Sequence, residues 1–230
     1  MIATVDQNVP LFNREALIPL LDASAERHRH LCPRQVLGVR MGLLGLCRLN
    51  LLSEGEYLFD NAKKRLLSIM ETDGRGADGV AVATDCHMGR RTLRVVDFGK
   101  MAATFVDTMT GRAIRIAPSV QSRELAPEYA PGARSRWHAY LEAYQVMPDD
   151  VLLEWQPVQL NTPVSAIISR PGVRALCDVC GEEIINEREV VGDGRTLCRA
   201  CAGESYYQPL QKKMKPMTLC PELDYPSLVV

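Results

Sequence analysis

The stretch CDVCGEEIINEREVVGDGRTLCRAC constrains folding more than any other in this 230-residue chain. Cys177 and Cys180 form one C-x-x-C pair and Cys198 and Cys201 a second, with residues 181–197 between them. Each such turn brings two thiolates toward one point, and tetrahedral zinc requires four converging ligands. Four thiolates leave no open coordination position, so the expected ion is structural zinc. Gly181 fits a tight turn after the first pair, Gly192 and Gly194 mark a hairpin, and the second pair can open a short helix. A redox dithiol is the weaker alternative, because the spacing falls inside the zinc-ribbon pattern.

Charge and composition bound the partners. The 27 basic and 28 acidic residues nearly cancel. Such a balance lacks the broad positive field of nonspecific nucleic-acid binders and argues against a nucleic-acid partner. The leading segment MIATVDQNVPLFNREALIPLL has no basic stretch followed by an apolar run, and no uncharged apolar run is long enough to span a bilayer. A cytoplasmic protein with no membrane association is expected. Cysteines paired as C-x-x-C are typical of reducing compartments, which agrees.

A hydrophobic content of 47% can furnish a core. Asn13 can cap a helix carrying Leu17, Leu20, Leu21 and Ala25 at helical spacing. A second helix starts near Pro33, and its Gly38, Gly42 and Gly45 permit close approach of another backbone, in a second copy of the chain or in its own sheet. The runs RLLSIMET, GVAVAT, LRVVDFG, AATFVDT and RAIRIAP read as short strands, with Thr110-Gly111 a hairpin bend. RSRWHAYLEAYQVM reads as a further helix and VLLEWQPVQL as a last strand. Segregated helices and strands predict an α+β fold: a mixed, mostly antiparallel sheet with helices packed on it. The expected domains are a core over 1–170, a four-cysteine finger over 171–210 and an extended tail over 211–230, which holds Cys220.

A second group of candidate ligands lies in HRHLCP. His28, His30 and Cys32 recur at spacing two, which places side chains together on an extended segment and spreads them around a helix. Two imidazoles and a thiolate suit zinc or another transition metal. Cys32 can instead be a reactive thiol at a helix start, or the segment a plain polar helix end. Cys86, in ATDCHMGRR, follows what reads as a strand and is either a distant fourth ligand or an ordinary buried thiol. GRGADG matches G-x-G-x-x-G through Gly74, Gly76 and Gly79, but reads as opening a strand, which argues against a dinucleotide site.

These stretches together resemble the FmdE family, named for a component of formylmethanofuran dehydrogenase. The resemblance is carried by HRHLCPRQVLGVRMG, by ETDGRGADGVAVATDCHMGRRTLRVVDFGK and by the strand after it. His28, His30, Cys32, Pro33, Thr84, Cys86, Phe98, Gly99 and Lys100 match the family's pattern. Arg29 and Arg34 stand where many members have glycine, and no cysteine occurs near Arg75 or Gly76. The resemblance implies an α+β core that forms a homodimer and holds a second transition-metal ion at His28, His30, Cys32 and Cys86, followed by a zinc finger of treble-clef type. It also implies an accessory role in molybdenum- or tungsten-dependent one-carbon or formate metabolism, with a partner oxidoreductase subunit. Two further readings stay open. One is a metal-dependent enzyme in which Lys100 binds substrate; the other is an adaptor whose finger docks a protein or nucleic acid.

Overall fold

The computed structural model describes residues 13–53, 56–168 and 170–210. The expected tail and Cys220 lie outside these residues. The chain divides between residues 168 and 169 into two compact units.

The first unit runs α1 (Arg14–Glu26), α2 (Pro33–Arg48), β1 (Leu66–Met70), α3 (Arg75–Thr84), β2 (Leu93–Val95), β3 (Ala103–Asp107) and β4 (Ala113–Pro118). It continues with α4 (Ser122–Tyr129), α5 (Arg136–Ala143), α6 (Asp149–Leu152), β5 (Leu153–Val158) and α7 (Val164–Ile168). The strands form one sheet in the order β2-β1-β3-β4-β5. All neighbours are antiparallel except β1 and β2. The expected α+β class and mostly antiparallel sheet are therefore present.

Local chemistry sets the helix starts. Asn13 Oδ1 accepts from the Ala16 amide at 2.7 Å, satisfying a donor that the first turn of α1 cannot pair internally. Pro33 opens α2, where a missing N–H costs nothing. Cys32 caps that helix, and its amide donates to Gln35 Oε1 at 2.9 Å. Gln35 in turn donates to the Ser24 carbonyl at 2.6 Å, fixing α2 against the end of α1.

The segment GVAVAT, expected as a strand, is helix α3. An apolar run of this length has no periodicity that separates a buried helix from a buried strand, and contact with α2 decides it. A Cβ on Gly38 would overlap the Gly76 carbonyl oxygen, and one on Gly79 would overlap the Gln35 carbonyl oxygen. A Cβ on Gly45 would lie 2.7 Å from the Phe105 ring. The glycines of α2 thus serve contacts with α3 and the sheet inside the chain, so this helix face is not free to meet a second copy.

Helix α2 forms the centre of the main core, which gathers Val36, Val39, Leu43, Leu46, Met70, Val80, Phe105 and Ile116. Each such large apolar side chain contributes about 1.5–3 kcal/mol on leaving water. Arg40 is buried in the same helix and donates to the Tyr144 and Met147 carbonyls and to Asp149 Oδ1, each at 2.8 Å. On the other sheet face a smaller cluster of Leu67, Val106 and Ala113 is covered by Val164, Ile167 and Ile168 of α7.

The second unit has two hairpins. β6 (Arg174–Leu176) pairs with β7 (Glu183–Ile185), and β8 (Val190–Gly192) with β9 (Arg195–Leu197). A wide helical turn, Ala200–Glu204, follows. Among its described apolar residues only Cys177 and Ile184 are buried.

Candidate metal centre

The four cysteines of the second unit converge. Cys177 and Cys180 occupy the turn between β6 and β7, closed by Gly181, whose positive φ of 70° suits glycine. The Gly181 amide donates to the Cys177 carbonyl at 2.9 Å. Cys198 follows β9, and Cys201 lies in the helical turn. Asp178 ties the two pairs together: its amide donates to the Thr196 carbonyl at 2.8 Å, and its carboxylate accepts from the Thr196 amide at 2.7 Å.

One sulfur from each of Cys177, Cys180, Cys198 and Cys201 lies within 4.8 Å of the others. Tetrahedral zinc with bonds of about 2.3 Å separates its sulfurs by about 3.8 Å. The Cys180 and Cys198 sulfurs are 3.9 Å apart, so the donor set fits the ion. Backbone amides also point at the sulfurs, from Cys198 to Cys177 Sγ at 3.3 Å and from Cys201 to Cys198 Sγ at 3.4 Å.

These groups cannot all ionise side by side without a cation, and the thiols divide accordingly. Backbone N–H bonds, that of Cys180 first, lower the Cys177 thiol to about 6. Hydrogen bonding to Cys198, with burial, pushes the Cys201 thiol up to about 12.

The HRHLCP segment links α1 to α2, with Arg29 at a φ of 65°. His28 Nε2 lies 2.6 Å from Asp78 Oδ2, and Arg27 approaches the other Asp78 oxygen at 3.8 Å. His30 Nε2 lies 2.5 Å from Arg75 Nη1. A guanidinium only donates, so His30 Nε2 is the acceptor in this contact. Cys32 is buried at the helix cap. His28 and His30 are therefore held near the start of α3 by two partners, Asp78 and Arg75, that spacing alone did not reveal, while Cys32 sits at the cap of α2 beside Gln35. The signal was present in GRGADG, where the helix start brings polar residues toward the histidines.

Cys86 is placed elsewhere. It follows the far end of α3, a helix about 15 Å long. Its sulfur accepts from Asn61 Nδ2 and Ser68 Oγ, both at 3.3 Å, and burial pushes its thiol up. This is the environment of a core sulfur. Among the described residues, the four-cysteine cluster is the group of three or more ligand side chains that converges. Lys100 is exposed, and its amide donates to the Glu71 carbonyl at 3.2 Å. Glu71 is held below the usual carboxylate range, first by its hydrogen bonds from Arg115.

Fold and site define an α+β protein with a C-terminal four-cysteine zinc-binding module. Residues 27–154 match the family model described as FmdE, molybdenum formylmethanofuran dehydrogenase operon, and residues 172–207 match the prokaryotic dksA/traR C4-type zinc finger. The chain belongs to the FmdE family. A probable S-adenosyl-L-methionine-binding protein of Archaeoglobus fulgidus is 28% identical over an alignment of 214 positions that covers 83% of this chain and 54% of the relative. The chain thus spans about half the length of that curated relative. Among solved structures, a tungsten formylmethanofuran dehydrogenase FmdE-like protein from Syntrophus aciditrophicus is 24% identical. That match covers 86% of this chain and 96% of the other, with a TM-score of 0.49. Among the described residues no helix is long and apolar enough to cross a membrane.

Proposed function

We propose that the protein is a homodimeric zinc-binding accessory of molybdenum- or tungsten-dependent one-carbon or formate metabolism, working beside an oxidoreductase subunit. The family match over residues 27–154 carries this reading. Zinc held by Cys177, Cys180, Cys198 and Cys201 supplies structure, and the turn, hairpin and helical turn around it support a treble clef. The core offers a second place for a transition metal. Asp78 orients the His28 ring through Nε2, which leaves Nδ1 as the atom to face an ion, with Cys32 close in sequence. His30 would have to give up Arg75 at Nε2 or use its other nitrogen. Lys100 would supply a cation for an anionic substrate.

Metal analysis and native association measurements test the proposal together. The full chain should hold one zinc that Cys180→Ser removes, and any second metal should fall in His28→Ala. Co-expression with the oxidoreductase subunits of the same metabolism should yield a complex. Zinc retained in Cys180→Ser, or no complex with those subunits, would count against it.

A second reading, binding of S-adenosyl-L-methionine, is supported by the helix start at GRGADG. β1, α3 and β2 form a parallel βαβ unit with this glycine turn between the first strand and the helix, an arrangement used for nucleotide groups. The name of the Archaeoglobus relative points the same way. Met101 presses against Gly76, which narrows the turn. Equilibrium dialysis with labelled S-adenosyl-L-methionine tests it: saturable binding lost in Gly74→Val supports the reading, and no retention by the wild-type chain overturns it.

A further inference from the structure

A cleft of about 380 Å³ opens at the β4–β5 edge of the sheet. Ile114, Trp155 and Pro157 line it from the strands, Arg48 from the end of α2, and Gly111 and Arg112 from the β3–β4 hairpin. The Arg48 guanidinium lies 4.6 Å from the centre of the Trp155 ring. Arg112 Nη2 donates to the Arg48 carbonyl at 3.4 Å. That contact holds the two arginines on one side of the cleft.

No carboxylate lines this space, and among the described residues neither guanidinium forms an ion pair. Elsewhere in the core arginines are neutralised: Arg40 by Asp149, Arg65 by Asp107 and Arg115 by Glu71. These two cations lie side by side on a protein of net charge −1. Each guanidinium presents a planar fork of donors that matches phosphate geometry. Trp155 is 42% exposed, so the layered arginine and indole leave a flat, cationic, partly apolar face beside the fork. Flat π systems stack on such faces.

We propose that this cleft binds a small aromatic anion of mononucleotide size, with the phosphate on Arg112 and Arg48 and the planar ring against the Arg48–Trp155 pair. The volume lies near the lower end of small-molecule pockets, roughly 300–1,000 Å³, which suits one nucleotide and not two.

Calorimetric titration of the full, zinc-loaded chain with adenosine monophosphate tests the proposal, with adenosine and inorganic phosphate as the two halves of the probe. Saturable binding of the monophosphate is expected, with each half roughly ten-fold or more weaker. Arg112→Glu, at an exposed hairpin tip, should abolish binding with an unchanged melting temperature. Arg48→Lys keeps the charge and loses the flat face, so it should weaken the monophosphate more than phosphate. No saturable binding of the monophosphate overturns the proposal. So does adenosine binding equally well, or an affinity that Arg112→Glu leaves unchanged, since binding would then lie elsewhere or need no anion.

Discussion

The two units of this chain hold themselves together by different physics. The first buries a continuous apolar core around α2, α3 and the sheet, with Leu43, Leu46, Met70 and Phe105 fully enclosed. The second buries only Cys177 and Ile184 among its described apolar residues, and its strands are three residues each. So little apolar burial cannot offset the entropy of ordering its backbone, and the four converging sulfurs supply what the core lacks. One unit is specified by packing shape, the other by coordination geometry.

The largest effect expected from this contrast is confined to the second unit. Chelating zinc, or replacing Cys180 by serine, should unfold residues 170–210, because metal binding supplies about 10 kcal/mol or more in small zinc domains. Limited proteolysis should then cut within this unit while the melting of the first is unchanged. A simultaneous loss of both would break the comparison.

A backbone clash should do the converse. In Gly79→Val the new side chain meets the Gln35 carbonyl, and neither helix backbone can retreat without disturbing the other. The core should lose about 3 kcal/mol, read as a lowered denaturant midpoint. Zinc content, measured by atomic absorption, should stay at the wild-type value.

Acid sharpens the difference within the core. Asp107 accepts from Arg65 at 2.7 Å, from the Met109 amide at 3.0 Å and from Thr110 Oγ1 at 2.8 Å. Hydrogen bonding from Arg65 first, then from its other donors, holds its carboxyl well below the usual carboxylate range. Its folded pKa is depressed, so its stabilisation is fully present above the unfolded value of about 3.9 and is lost as pH falls through the folded value. Thermal melts of the wild type should therefore fall steadily below about pH 4. In Asp107→Asn the fall should be shallower, starting from a lower plateau.

The smallest effect belongs to a helix cap. Ser135 accepts from the His138 amide at the start of α5. Ser135→Ala should cost about 1 kcal/mol in chemical denaturation of the core, again with zinc content unchanged.

Much of the core was legible in advance because single residues announce local geometry. Asn13 marked the start of α1, Pro33 that of α2, and Thr110-Gly111 the β3–β4 bend, where the Gly111 amide donates to the Asp107 carbonyl at 2.8 Å. GVAVAT was not legible, because its alternating small and β-branched residues satisfy either period, and only glycine-to-glycine contact with α2 makes a helix the better burial. The partners of Cys86 were not legible either: Asn61 and Ser68 reach its sulfur from other segments.

The sequence by itself determined the zinc site, since Cys177, Cys180, Cys198 and Cys201 carry both their chemistry and their spacing in the chain. Coordination is short-range and names its own residues. Only the tertiary structure decided which partners the histidines meet and that Arg112 comes to lie beside Arg48. Asp78 reaches His28 across 50 positions, and Arg112 reaches Arg48 across 64. Contacts of that span depend on how helices and strands pack, and packing is a property of the whole core rather than of any segment in it.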